Sequence, residues 1–260
     1  MSKKKRKEKR MKKAGAWKGF FFILPSLCGL ILFYLLPYLD VIKRSFSSPV
    51  TGAFTGLDNY WLVFGNKAFQ LAVKNTVRFI ITCVPILVIS SLLVAVILQK
   101  IVKGNLLKIG FLFPMAIPVA SVVLLWKGVF DPQGFLNSFL NLFGISGNDW
   151  MNTKSAFWVL VFSYVWKNMG CFLYITLPNL LSSFFTITVI SLINSFKVYR
   201  EAYLVAGDYP DQSIYKMQHL FNNWFRDLSL DKLAVGAVIN TAIFVVLIWG
   251  FWKGWGQMDE

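Results

Sequence analysis

FWVLVFSYVWKNMGCFLYITLPNLLSSFFTITVISLINSF, from Phe157 to Phe196, is the stretch that decides the fold. It carries one charge, Lys167, and the 29 residues from Asn168 to Phe196 carry none. As one helix it would run about 60 Å, roughly twice the hydrocarbon thickness of a bilayer. It must therefore fold back on itself. The bend belongs at Pro178-Asn179 and Ser182-Ser183, where a helix loses a backbone donor and polar side chains compete for its carbonyls. The stretch predicts a transmembrane hairpin with almost nothing at its tip. A single crossing is the rival reading; it would make five spans and put the C-terminus outside.

Composition agrees with a membrane protein. Of the 260 residues 56% are apolar and 17% aromatic, and the mean hydropathy is +0.57. Several uncharged runs reach bilayer length, which soluble domains do not show. The net charge of +15 is lopsided, with ten Lys/Arg and one acid, Glu8, between Met1 and Lys18. So short a basic block, followed at once by an apolar run, reads as a positive-inside anchor that also touches anionic lipid. It lacks the interleaved aromatics and folded module of a nucleic-acid binder. The run 19–39 is long for a signal-peptide core and no small-x-small site follows, so a retained first helix is expected. Cys28, Cys83 and Cys171 lie in apolar runs without metal-like spacing and read as small buried hydrophobes.

The predicted architecture is all-α and integral to the membrane. A cytoplasmic tail, 1–18, precedes a membrane domain, 19–253, and a short tail, 254–260. Helices are expected at about 19–39, 79–99 (kinked near Pro85), 109–126 (with Pro114 and Pro118 one turn apart), 157–177, 180–196 and 233–252. Lys100, Lys103 and Lys108 occupy a turn without an acid, which belongs with the N-terminal tail in the cytoplasm. The charge-balanced segments 127–154 and 197–232 then fall outside. The segment 40–78, with five basic and two acidic residues, conflicts mildly and is overruled by the tail. Both termini are expected in the cytoplasm of a multi-pass cell-membrane protein. Trp17, Trp126, Trp158, Trp252 and Trp255 suit an interfacial belt.

Catalytic chemistry is missing. No Gly-rich phosphate loop, metal cluster or Ser/His/Asp set is visible, and no cofactor is implied. The one histidine, His219, reads as solvated in a polar loop. Asp208, Asp211, Asp227 and Asp231, with Lys216, Arg226 and Lys232, read as a solvated face. Lys167 is the exception. A lysine in the middle of an apolar run either lines a cavity, pairs within the bundle or snorkels to the interface. Asn168, Asn194, Ser195 and Asn240 are the other polar groups at depth, too scattered for a membrane-embedded enzyme.

Several strings resemble, in order, the permease subunits of binding-protein-dependent ABC transporters of carbohydrate type. They are ILPSLCGLILFYLLPYL (23–39), FTGLDNYWLVF (54–64), KNT (74–76), FPMAIPVASVVLLWKGVFDPQGFLN (113–137), VWKNMG (165–170), ITLPNL (175–180) and INSFKVYREAYLVAG (193–207). The resemblance implies a six-helix permease fold, a second permease subunit, two cytoplasmic ABC ATPase subunits that bind the ATP, and an extracytoplasmic sugar-binding protein. Lys167, Asn194 and Asn240 become candidates for the substrate path. One departure stands out. The family carries a long cytoplasmic loop between VWKNMG and ITLP, holding a Glu-Ala-Ala signature and a short helix that docks on the ATPase. Here four residues, Cys171 to Tyr174, join the two strings. The signature's tail, Ile175, Thr176, Leu177 and Pro178, is present and its head is gone, with three or four dozen residues missing by the family pattern. Glu201, Ala202, Tyr203 and Gly207 mimic the signature's spacing but lie downstream and outside. The expected function is a sugar-importer permease impaired in coupling to its ATPase; the alternatives are a defective or scaffold membrane subunit and, less so, an enzyme.

Overall fold

A computed structural model describes residues 20–101, 106–176, 182–197, 200, 202–203 and 207–256. The basic tail and the tip of the predicted hairpin, 177–181, lie outside these residues. Helix α1 runs Phe20–Ser45, with a wide π turn over Ile31–Leu35. That turn ends just before Pro37, which has no N–H to give to the preceding turn; instead the Leu36 N–H reaches Ile31 O. After a short helix α2 (Asp58–Gly65), α3 runs Lys67–Ile101 and passes unbroken through Pro85. It starts a dozen residues earlier than the apolar run, because Asn66 Oδ1 accepts the Phe69 N–H and opens the helix there.

The predicted third helix is two helices. α4 (Leu106–Ala116) and α5 (Val119–Phe130) meet at Ile117-Pro118, and the chain bends there, by 106° between Gly110–Ala116 and Val119–Asn141. Pro118 has no donor for the Pro114 carbonyl, and Ile117, preceding a proline, is pushed out of helical geometry. A seven-residue helix α6 (Phe135–Asn141) follows. The stretch predicted as a hairpin holds two helices that touch, α7 (Ala156–Thr176) and α8 (Ser182–Lys197), five residues apart. The chain continues through α9 (Met217–Arg226), inside what the sequence had suggested to be a solvated loop, to α10 (Leu230–Gly256). Among the described residues three helices are long and apolar enough to cross a membrane, or four if the bent pair is one span.

Two clusters hold the bundle together. In the first, Phe79, Cys83 and Leu87 of α3 pack against Phe157, Leu160, Val161 and Tyr164 of α7 and Leu192 of α8. In the second, Val63, Phe69 and Ala72 pack against Leu220, Trp224 and Val235. Outward faces are apolar instead of charged, as at Phe22, Phe33, Leu124 and Val246. Cys83 is buried as expected, whereas Cys28 is exposed on such a face. Trp158 and Trp252 are exposed, consistent with a belt; Trp126 is buried instead, its ring 5.2 Å from Trp166 and 5.5 Å from Phe162.

Candidate functional site

Lys167, Asn194 and Asn240 sit half-buried on three helices, α7, α8 and α10. α8 is the middle element. The Tyr164 hydroxyl donates to Ser191 O at 2.9 Å and ties it to α7, and Phe196 meets Phe244 of α10 edge to face at 4.8 Å between ring centres. The buried side of α8 carries Thr188, Ser191 and Ser195. Small hydroxyl residues let helices approach closely, and they can return a bond to their own helix, as the Ser195 hydroxyl does to Leu192 O. Asn168 is likewise used locally, donating to Tyr164 O at 2.8 Å. Of the string Ile175, Thr176, Leu177 and Pro178, the first two form the last turn of α7, while Leu177 and Pro178 lie outside the described residues.

The segment around α9 overturns the solvated reading. His219 is fully buried and Lys216 is 4% exposed. Asn75 of α3 donates to Gln212 O at 2.5 Å and to Tyr215 O at 2.9 Å. Thr76 Oγ1 accepts the Met217 N–H at 3.1 Å. The Lys216 ammonium lies over the Phe79 ring, 2.9 Å from its centre. His219 Nδ1 accepts the Lys216 N–H at 3.3 Å, closing the first turn of α9. Burial first, and the Lys216 charge second, push the imidazole down to about 3, so it is neutral. Only the outer rim is solvated. There Arg226 pairs with Asp208, and that hydrogen bond holds the carboxyl below the usual carboxylate range.

Asn75 and Thr76 belong to the KNT string, but nothing in the string says what they hold. The signal for a docked helix was available elsewhere: Met217, Leu220, Phe221 and Trp224 recur at helical spacing, and Met217, Leu220 and Trp224 are buried. Ala202, part of the mimic signature, is 2% exposed within the first cluster; Glu201 lies outside the described residues. Two cavities open at this end of the bundle. One of about 300 Å³ is polar, between Asp40, Lys43, Arg44 and Ser47 at the end of α1 and Asp231 at the start of α10. The other, about 20 Å³, is apolar apart from Trp126 and Ser163. No metal-binding group of His, Cys, Asp or Glu occurs among the described residues.

This all-α arrangement is the fold of an ABC importer permease subunit. It superposes on a chain of a bacterial ABC transporter involved in the import of the acidic polysaccharide alginate, with a TM-score of 0.75, 14% identity, and 98% of this chain and 100% of that one covered. A second structure, of the alginate transporter in complex with an alginate pentasaccharide-bound periplasmic protein, gives 0.76 at 16% identity over 94% of each chain. No family profile matches the sequence. Among curated proteins it is 25% identical over 276 residues to the trehalose/maltose transport system permease protein MalF of Thermococcus litoralis, covering 92% of each chain. It is 27% identical over 248 residues to the probable ABC transporter permease YesP of Bacillus subtilis, covering 78% of this chain and 80% of that one. To the sn-glycerol-3-phosphate permease UgpA of Escherichia coli it is 28% identical over 162 residues, 59% of this chain and 54% of that one.

Proposed function

We propose that this chain is a permease subunit of an ABC importer for sugars or oligosaccharides, building the translocation path with a second permease. The observation that carries the reading is agreement in fold over nearly the whole chain. The relative named for trehalose/maltose supplies the substrate class. Two cytoplasmic ATPase subunits bind and hydrolyse the ATP, and an extracytoplasmic sugar-binding protein delivers the substrate; a partner of the second kind accompanies the alginate transporter. The subunit spans the cell membrane six times with both termini in the cytoplasm and the α9 segment outside. Lys167, Asn194 and Asn240 line the path. Their half-burial on α7, α8 and α10, with α8 packed against each neighbour, supports that assignment.

The same subunit couples poorly to its ATPase. A partner shifts a conformational equilibrium only through contacts that differ between the two states. α7 ends at Thr176 and α8 begins at Ser182, so five uncharged residues stand where a docking helix would have to be. The alignment with MalF supports a loss of chain, because it is 276 positions long yet takes in only 92% of the 260 residues here. A second reading, a non-transporting membrane subunit, draws on the same short connection.

Uptake and ATPase stimulation by the reconstituted complex, with and without a family-type loop inserted between Gly170 and Ile175, test both. Weak uptake that rises at least tenfold on insertion supports an impaired permease. Full uptake without insertion removes the coupling defect, and no uptake in either form favours the scaffold. Sidedness is tested by cysteine labelling in intact cells. An impermeant reagent should reach Gln212→Cys but not Met258→Cys. Gln212 is exposed just before α9.

A further inference from the structure

The loop 132–148 contains no charged residue over 17 positions, although Asp131 and Asp149 flank it. Within it α6 and the turn that follows expose Phe135, Phe139, Leu142, Phe143 and Ile145, at 70%, 47%, 81%, 68% and 52%. At 100° per residue, Phe135, Phe139, Leu142 and Phe143 fall within roughly a third of the helix circumference. Their rings follow one another, with centres 6.4 Å apart from Phe135 to Phe139 and 5.2 Å apart from Phe139 to Phe143. The opposite face is Asn137, 2% exposed.

Asn137 fixes which way the stripe faces. Its amide donates to Pro132 O at 3.0 Å and Asn148 O at 2.8 Å, while its Oδ1 accepts the Asn148 N–H at 3.1 Å and the Trp150 indole N–H at 2.7 Å. Two glycines close the clamp. A Cβ on Gly134 would stand 2.8 Å from Gly128 O, and one on Gly147 would stand 2.8 Å from the Asn137 side chain. The helix cannot roll inward, so its aromatic face stays outside.

We propose that the stripe from Phe135 to Phe143 is a lipid-binding surface, seated in the headgroup–acyl boundary of the bilayer. The inference rests on the chain being membrane-embedded and is independent of what it transports. Three observations favour lipid over a polypeptide partner. The helices before and after the stripe in the chain also expose large apolar side chains, Leu124 and Leu125 of α5 and Trp158 and Phe162 of α7. The stripe offers no charge for a partner to pair with, and stacked aromatics are the side chains that membrane interfaces select. α6 has only seven residues and lies four beyond the end of α5, so it remains beside the spanning helices.

The test is spin labelling of Leu142→Cys and Phe143→Cys in the full chain, with Cys28, Cys83 and Cys171 changed to Ala. The protein is placed in phosphatidylethanolamine/phosphatidylglycerol vesicles, and Asn148→Cys is the solvent control. The expected result is relaxation by oxygen at least threefold stronger than by a water-soluble nickel chelate at 142 and 143, with the reverse at 148. Nickel-dominated relaxation at 142 and 143 overturns the proposal, because the stripe is then in water. Protection from both reagents overturns it too, because protein then covers the stripe. Photocrosslinking from p-benzoylphenylalanine at position 143 in the native cysteine background gives an independent reading. Phospholipid adducts support the proposal, and adducts to a polypeptide alone refute it.

Discussion

The two ends of the bundle are built in different ways. At the loop-rich end three buried asparagines each use both amide hydrogens to fasten another segment. Asn59 donates to Ser45 O at 3.2 Å and Ser47 O at 2.9 Å, Asn75 to Gln212 O and Tyr215 O, and Asn137 to Pro132 O and Asn148 O. An amide satisfies two loop carbonyls without burying a charge, the least costly way to bring irregular backbone against apolar helices. The opposite end has no such devices among the described residues. Four residues separate α3 from α4 and five separate α7 from α8, and the join is a close approach of backbone, Gly170 of α7 against Phe111 of α4. One end is thus a folded platform; at the other, among the described residues, helix meets helix directly. The proposed coupling defect draws on the second end, where only four and five residues stand between successive helices.

The comparison is broken most severely where α7 meets α4. A Cβ on Gly170 would run into the Phe111 carbonyl, which is backbone and cannot swing aside. Gly170→Ala should destabilise by about 3 kcal/mol or more, at the high end for overpacking, and lower the thermal midpoint of the detergent-solubilised protein by several degrees. At the platform, Asn75→Ala leaves two carbonyls without their donor, which should cost about 2–3 kcal/mol. Its distinctive mark is local: trypsin should cut at Arg226 in the variant before the helices are lost. An unchanged cleavage pattern would mean that α9 is held by its apolar face alone.

How much of this was legible beforehand depends on the kind of signal. The pair of helices α7 and α8, and the long apolar helices α1 and α10, follow from uncharged length, which composition measures directly. The start of α3 was misplaced by twelve residues because Lys67, Lys74 and Arg78 interrupt the apolar run, while the helix is set by the Asn66 cap and by Phe69 and Ala72 packing inward. The 197–232 segment was misread for a similar reason. Its acids and bases balance, but Lys216 and His219 are buried because Asn75 and Thr76 hold the neighbouring backbone of Gln212, Tyr215 and Met217, and Phe79 receives the Lys216 ammonium. Those contacts span more than 130 residues, beyond any local pattern. Lys167, Asn194 and Asn240 could be named from sequence, because a polar residue within an apolar run is visible at once.

Acid sharpens the comparison further, because it acts on one end only. The neutral His219 imidazole has a folded value of about 3 against an ordinary 6.5, so between those values the unfolded chain binds more protons. The histidine's contribution is therefore full above pH 6.5 and lost progressively as pH falls toward 3, by about 2 kcal/mol at pH 5. Asp208, held low by Arg226, begins to lose its contribution only near pH 4. Thermal midpoints measured from pH 7.5 to 5 should fall for the native chain and stay flatter for His219→Asn, which keeps an acceptor for the Lys216 N–H. Parallel slopes in the two proteins would show that His219 is not the group responsible.

The smallest effect is expected at Ser163, beside Trp126 in the 20 Å³ cavity. Its hydroxyl is buried and has no hydrogen-bond partner among the described residues. An unpaired buried hydroxyl contributes nothing that its removal would lose, and deleting one oxygen enlarges the cavity only slightly. Ser163→Ala should accordingly lie within about 0.5 kcal/mol of the native protein or be slightly more stable. Ser195→Ala, one helix away, removes a hydroxyl that does bond, to Leu192 O at 2.7 Å. That bond stays within one helix turn, so its loss should cost no more than about 1 kcal/mol. Thermal midpoints of the pair decide the matter. If Ser163→Ala is the more damaging, its hydroxyl has a partner supplied from outside the chain, such as an ordered water shared with the Trp126 indole, and the cavity is then a wet, working part of the platform.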